Sequence, residues 1–243
     1  MATFNFFSDI LPDPINKITD QGDIDPTGVA GPGFSAINFI SNGETQVSRT
    51  NSGRGVHRDQ EVQYWSFSIK YHPMFRFQFD PVDAFLASRN ARRDPFFVVL
   101  PQYSKPKNAI FASFAETNTI RNKGGYESGI TSMMLDCGGN FPAYASPGDM
   151  FTITDTSNTN HLKAYKVTRV ETNARYQAST TQPELNEMRI HFSPPLTRNL
   201  ADNSVINFIK PKFRVIARSD LREYSLDTNN LYQFSLDLEE IMP

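Results

Sequence analysis

Between residues 61 and 101 the hydrophobic pattern of the chain changes period twice, and this restricts the folds open to it. Trp65, Phe67, Ile69 and Tyr71 alternate with Ser66, Ser68 and Lys70, the period of a half-buried strand. His72-Pro73-Met74 breaks the run, because proline removes a ladder donor. Asp80-Pro81 predicts a helix start, with Asp80 as N-cap and Pro81 at the first helical position. Asp83 adds negative charge to that first turn, where the helix dipole favours it. Val82, Phe85 and Leu86 share one narrow helical face, and Arg89, Arg92 and Arg93 follow before Asp94-Pro95 ends the helix. Phe96-Phe97-Val98-Val99-Leu100 is a short continuous apolar run, the pattern of a strand covered on both faces. Trp65, Phe67, Ile69, Phe85, Leu86, Phe97 and Val99 are therefore the expected core of the fold.

The flanks read mostly as strand. Residues 36–40 and 47–49 are short candidates, and between 40 and 61 lies a polar, glycine-rich stretch that suits a long projecting hairpin. Asn42-Gly43 is one turn signal in it, and Asn51-Ser52-Gly53 is a second possible tip. After Pro101 the texture loosens until Asp149, from which strands are predicted at 150–154, 162–170, 187–192, 205–209, 213–217 and 231–238. The expected fold is mainly β: a β-sandwich or barrel with one flanking α-helix. Its expected parts are an N-terminal arm over 1–35 and one β domain over 36–243, with a less regular insertion at about 102–145. The arm is rich in Pro, Gly and Asp, and its Phe4, Phe6 and Phe7 pack either on a neighbouring subunit or on their own domain.

Composition and motifs narrow the function by exclusion. The net charge is −2, which gives no general basic surface for nucleic acid. One cysteine, Cys137, allows no internal disulfide and argues against an oxidising compartment. His57, His72, His161 and His191 have no local metal-ligand spacing to one another or to Cys137. Phosphate-binding loops, nucleophile elbows and zinc-hydrolase motifs are missing, so no catalytic residue, metal site or cofactor is expected. The first eleven residues lack a basic n-region, and no apolar run reaches the roughly 20 residues of a membrane span. A soluble protein made in the cytosol is expected. Arg49, Arg54, His57 and Arg58 on the polar hairpin suit salt bridges to another subunit, beside the plainer reading of a solvated face.

The order of these pieces is similar to a known arrangement. Gln63-Tyr64-Trp65, Pro73-Met74, Ala84-Phe85-Leu86 and the run from Phe96 into Pro101 follow a basic polar hairpin. Pro147-Gly148-Asp149 leads to Tyr165-Lys166-Val167, residues 188–196 end in Pro194-Pro195-Leu196, and 232–240 form a final strand. This series resembles the distal-tail and baseplate-hub proteins of tailed bacteriophages. The resemblance implies a tail-tube fold, a homohexameric ring, and contacts with neighbouring tail-tube, hub or baseplate proteins. It also implies DNA only as cargo passing through the lumen, no catalysis, and a place in the virion. On this reading Phe4, Phe6, Phe7, Arg49, Arg54 and Arg58 are the inter-subunit contact candidates. The alternative is a carbohydrate- or receptor-binding β-sandwich of a phage tail, with Tyr103, Tyr126, Tyr144 and Tyr176 as the aromatic platform.

Overall fold

A computed structural model describes residues 8–19, 22, 31–89, 92–155, 157–159, 161–219 and 223–242, with 44–46 and 56–62 described by backbone alone. In chain order the elements are β1 (Phe34–Arg49), β2 (Gly55–Tyr71), α1 (Arg76–Ser88), β3 (Phe96–Val99), α2 (Ala109–Thr117), β4 (Arg121–Asn122), β5 (Ser132–Asp136), β6 (Met150–Thr154), β7 (Ala164–Glu171), β8 (Glu187–Ser193), β9 (Val205–Asn207), β10 (Lys212–Ala217), β11 (Tyr224–Leu226) and β12 (Tyr232–Glu240). The chain is mainly β, and it divides into two compact units. The first joins residues 1–101 to 213–242, and the second is 102–212.

The first unit is an open sheet in the order β1-β2-β12-β10-β3, with β11 added to β12. The period-two stretch is the C-terminal half of β2, and Trp65, Phe67 and Ile69 are buried along one face. Phe39 of β1 stacks on Trp65 at 4.8 Å, and Phe213 of β10 meets Phe67 edge-on at 5.1 Å. Such pairs contribute about 0.5–1.5 kcal/mol each beyond their buried area. Helix α1 buries Phe79, Val82, Phe85 and Leu86, and Phe85 packs edge-on against Phe96 at 5.4 Å.

Several local expectations are corrected here. Helix α1 begins at Arg76, so Asp80 is not its N-cap, Asp83 is not in its first turn, and Pro81 lies inside the helix. The competing start is held by Gln78, whose Oε1 accepts from the Phe75 N–H at 3.2 Å, and by the Arg76–Asp80 ion pair at 3.2 Å. Asn42-Gly43 is no turn: β1 runs through it with a register shift between Gly43 and Thr45. The hairpin turns instead around Gly53, whose φ of +80° suits a residue without Cβ. Phe97 is half-buried, whereas its neighbour Phe96 is fully buried, and the core role falls to the latter. The single expected helix is joined by a second, α2, within the stretch read as irregular.

The second unit is a closed barrel, β4-β5-β8-β7-β6-β9, with every neighbouring pair antiparallel. Phe151 is its aromatic centre, with Tyr165, Phe192 and Phe208 all within 5.6 Å. Helix α2 is capped by Asn108, whose Oδ1 accepts from the N–H groups of Ile110 and Phe111, and it presses Phe111 against Phe208. Residues 102–145, read from the sequence as a less regular insertion, supply α2, β4 and β5 to the second unit.

Candidate functional site

The hairpin is the first candidate surface. Residues 63–71 of β2 pair with β1, and 66–70 also pair with β12, whereas the pairs from Thr45↔Asp59 to Arg49↔Gly55 involve only the two hairpin strands. The tip is tied by Gly53 N–H to the Thr50 carbonyl at 2.9 Å and by Arg54 N–H to Thr50 Oγ1 at 3.2 Å. Arg49 and Arg54 flank this turn and are exposed, and Val47 between strand and tip is 61 % exposed. The Arg58 side chain lies outside the described residues, as do Phe4, Phe6 and Phe7.

The start of α1 forms a second surface. Met74 and Tyr232 exchange backbone hydrogen bonds at 2.9 and 2.8 Å, which fixes the entry to the helix. Phe79 turns inward between Tyr232 and Tyr224, at 4.6 and 4.9 Å. Phe75 and Phe77 turn outward, stacked on each other at 6.0 Å and 57 % and 73 % exposed. Tyr224 and Leu226 of β11 are also more than half exposed. A shallow groove of about 500 Å³ lies beside β11, lined by Ser35, Lys70, Pro73, Glu223, Tyr224 and Phe234.

A third feature is the docked part of the arm. Leu11 N–H donates to the Phe97 carbonyl at 2.8 Å and Phe97 N–H to the Asp9 carbonyl at 2.7 Å, so Ile10 bridges β3 in parallel. Ile10, Leu11 and Ile18 are buried, so this segment packs on its own unit. Asp13 is also buried, and its Oδ1 accepts from the N–H groups of Ile15 and Asn16 at 2.8 and 2.7 Å. Burial outweighs these bonds and pushes the Asp13 carboxyl up to about 6. Tyr71 donates to the Pro12 carbonyl, and burial, then the Asp13 charge, raise its hydroxyl well above the usual range. Gly31 closes this turn: a Cβ there would lie 2.3 Å from the Asp13 carbonyl oxygen.

The barrel carries polar groups that are consumed internally. Glu171 is buried and accepts from Arg169 at 2.5 Å and Thr180 at 2.9 Å, with His191 at 3.1 Å. Its carboxyl is lowered: burial opposes ionisation, but the Thr180 and His191 bonds and the adjacent positive charge outweigh it. His161 bonds Tyr165 at 2.8 Å, and burial holds it down at about 4. Lys123 is bonded to Glu187, which raises its ammonium. Of the four tyrosines proposed as a platform, Tyr126 bonds the Lys123 carbonyl and the Met134 N–H, and Tyr144 packs on Phe141. Only Tyr176 among them is classed as exposed. Among the described residues no group of three or more His, Cys, Asp or Glu could hold a metal ion, and no helix is long and apolar enough to cross a membrane.

Residues 11–103 match a family described as distal tail protein pb9, A domain, N-terminal. The chain is also 23 % identical to the distal tail protein pb9 of Escherichia phage T5 over 155 residues, 64 % of this chain and 70 % of that protein. These findings support a phage distal tail family. The resemblance read from the Trp65 block is thereby upheld, since that block lies inside the matched residues. The match to the N-terminal part of the distal tail A domain ends at residue 103, next to residue 101, where the first unit gives way to the barrel. At this level the findings support a structural role in a phage tail, association with other tail components and a place in the virion.

The structure brings Arg49 and Arg54 together at the hairpin tip, away from any described acid partner in an ion pair, and leaves the N-terminal phenylalanines undescribed. The aromatic surface at Phe75 and Phe77 escaped the sequence reading. Part of its signal was present: Phe77 lies two residues before Phe79, on the opposite side of the helix, which puts it off the buried Phe79-Val82-Phe85-Leu86 stripe.

Proposed function

We propose that the chain is a ring-forming structural subunit at the distal end of a phage tail tube or in its baseplate hub. It joins the tube to the baseplate or tip and encloses the channel through which DNA passes. On this reading it forms a homohexamer, contacts neighbouring tube, hub or baseplate proteins, is made in the host cytoplasm and performs no catalysis. The observation that carries the proposal is the match of residues 11–103 to the distal tail A domain, over the segment that holds the long hairpin. Among the described residues the hairpin pairs only with itself beyond Gly43, which offers surface that its own sheet does not use. Such surface suits a contact between subunits that closes by rotation.

The test is negative-stain microscopy together with native mass. Rings with a central hole and a mass six times that of the 27.5 kDa chain are expected. A chain that stays monomeric, alone and with the products of its neighbouring tail genes, overturns the ring. The carbohydrate-binding alternative loses two of its four tyrosines, because Tyr126 and Tyr144 pack locally, and keeps Tyr176 exposed.

A further inference from the structure

The docked N-terminal segment is held to the first unit by isolated bonds rather than by a long ladder. Two backbone bonds join it to Phe97 of β3, Tyr71 of β2 donates to the Pro12 carbonyl at 3.3 Å, and Arg89 at the end of α1 donates to the Ser8 carbonyl at 2.5 Å. Ile10, Leu11 and Ile18 add buried apolar area. The β2–β12 ladder behind it runs unbroken from Ser66 to Lys70 and is flanked by β1 on its other side. Local opening follows contact density, so the segment opens at a lower free energy than that ladder.

Asp13 stands in the middle of this segment and is 0 % exposed. Its Oδ1 takes the short bonds from Ile15 and Asn16, while Oδ2 receives the Asn16 amide at 3.4 Å. Gly31 closes over the turn so tightly that a Cβ there would also lie 2.8 Å from the Asn16 carbonyl oxygen. Among the described residues no ion pair includes Asp13. The groups around it are few. On its own segment Asp9 is exposed and Lys17 half-buried; β2 brings Tyr71, with exposed His72 next to it; β3 brings the Val99 N–H and no charged side chain. A carboxyl buried without a cation favours its neutral form. Opening the segment returns the carboxyl to water, so loss of its proton favours the open form.

We infer that residues 9–18 form a proton-controlled latch on the edge of β3: neutral Asp13 holds the segment down, and ionised Asp13 lets it open. The inference is independent of the ring reading above. What opens is the edge of β3 at Phe97, together with the seats of Ile10 and Leu11. A bared edge of this kind accepts another strand. The sign follows from the two states of one group. The docked carboxyl takes its proton at about 6 and the undocked one at 3.8, so the closed form has its full advantage below 3.8 and loses it as pH rises through 6.

Amide hydrogen exchange on the full chain tests it, with each rate corrected for the intrinsic rate at its pH. The Leu11 and Phe97 amides, which make the two bonds to the edge, report the latch. Their protection is expected to fall about tenfold between pH 5 and 7.5 and to level off above about 6. At both pH values it is expected to stay below that of the β2–β12 ladder, the sign that the segment opens alone. Asp13→Asn keeps the accepting Oδ1 and removes the charge, so its protection is expected to be the same at both pH values. Trp65 fluorescence reports whether the variant folds; if it does not, the pH series on the unaltered chain decides alone. Protection that does not change with pH overturns the latch, as does a fall that survives Asp13→Asn. Protection equal to that of the ladder also overturns it, because the segment then opens only with the whole sheet.

Discussion

The two units solve the same problem in opposite ways. A sheet has edges, and unpaired edges invite association. The barrel of residues 102–212 abolishes its edges by closure, with the two-residue β4 bonded to both β5 and β9. The sheet of the other unit stays open, plugs one edge with its own N-terminal segment, leaves the outer edge of β1 without a strand partner among the described residues, and exposes Phe75 and Phe77 besides. Polar groups follow the same division. Glu171 and His161 of the barrel find partners inside it, whereas Arg49 and Arg54 of the hairpin face solvent. The barrel closes on itself; the sheet, among the described residues, does not.

Core truncation sharpens this comparison most strongly, because Trp65 is the only tryptophan and reports the sheet unit alone. Phe151→Ala should destabilise the barrel by about 3–5 kcal/mol. Circular dichroism should show an early transition while Trp65 fluorescence keeps its own midpoint. Coincident transitions in both signals would mean that the units unfold as one. Replacing residues 44–62 by a two-residue turn should abolish rings and leave the Trp65 transition in place, since that part of the hairpin pairs with no third strand.

Acid should act on the units with opposite sign. His161 is held down at about 4 from 6.5, so the folded barrel resists its protonation. That stability is complete above 6.5 and is lost as pH falls toward 4, by up to about 3 kcal/mol. Asp13 is raised from 3.8 to about 6, so the folded sheet unit binds its proton more tightly than the unfolded chain. Its charge costs stability above pH 6, and the cost is relieved between pH 6 and 4, by about 1–3 kcal/mol. Denaturant titrations at pH 7.5 and 5 check both: Asp13→Asn should flatten the rise seen by Trp65, and His161→Gln should flatten the fall of the barrel. The smallest effect is expected for Arg49→Ala with Arg54→Ala, which should move neither unfolding transition by more than about 0.5 kcal/mol while weakening rings.

Local patterns in the sequence specified local structure well. The alternation at Trp65, the apolar run at Phe96 and the Pro147-Gly148-Asp149 turn each carry a signal that tertiary contacts then reinforce. Asp149 accepts from Ser146 and Lys107 N–H groups as such a turn requires. Two strong local signals lost to their surroundings. Asp80-Pro81 resembles a helix start but was overridden one turn earlier by Gln78 and by the anchor of Met74 on Tyr232, which is 158 residues away in sequence (232 − 74). Asn42-Gly43 resembles a hairpin turn, but pairing with β2 on both sides of it carries the strand through. Barrel closure was illegible for a related reason: β4 is two residues long and meets β9 through Arg121↔Val205, so nothing local announces it. The exposed hairpin arginines were legible by their charge, and Phe77 only by its position off the buried stripe.

One feature of the topology sets a clock. β3 and β10 are neighbours in the sheet, yet the whole barrel, 111 residues from 102 to 212, is threaded between them. At a synthesis rate of about 5–20 residues per second, roughly 5–20 s pass between the emergence of one strand and the other. The barrel, contiguous in sequence, has its full set of strands in hand during that interval. The hairpin, with Trp65 and Phe67 on its inner face, waits for β12 to cover it. The sheet is unfinished until then, so its completion waits on the far end of the chain.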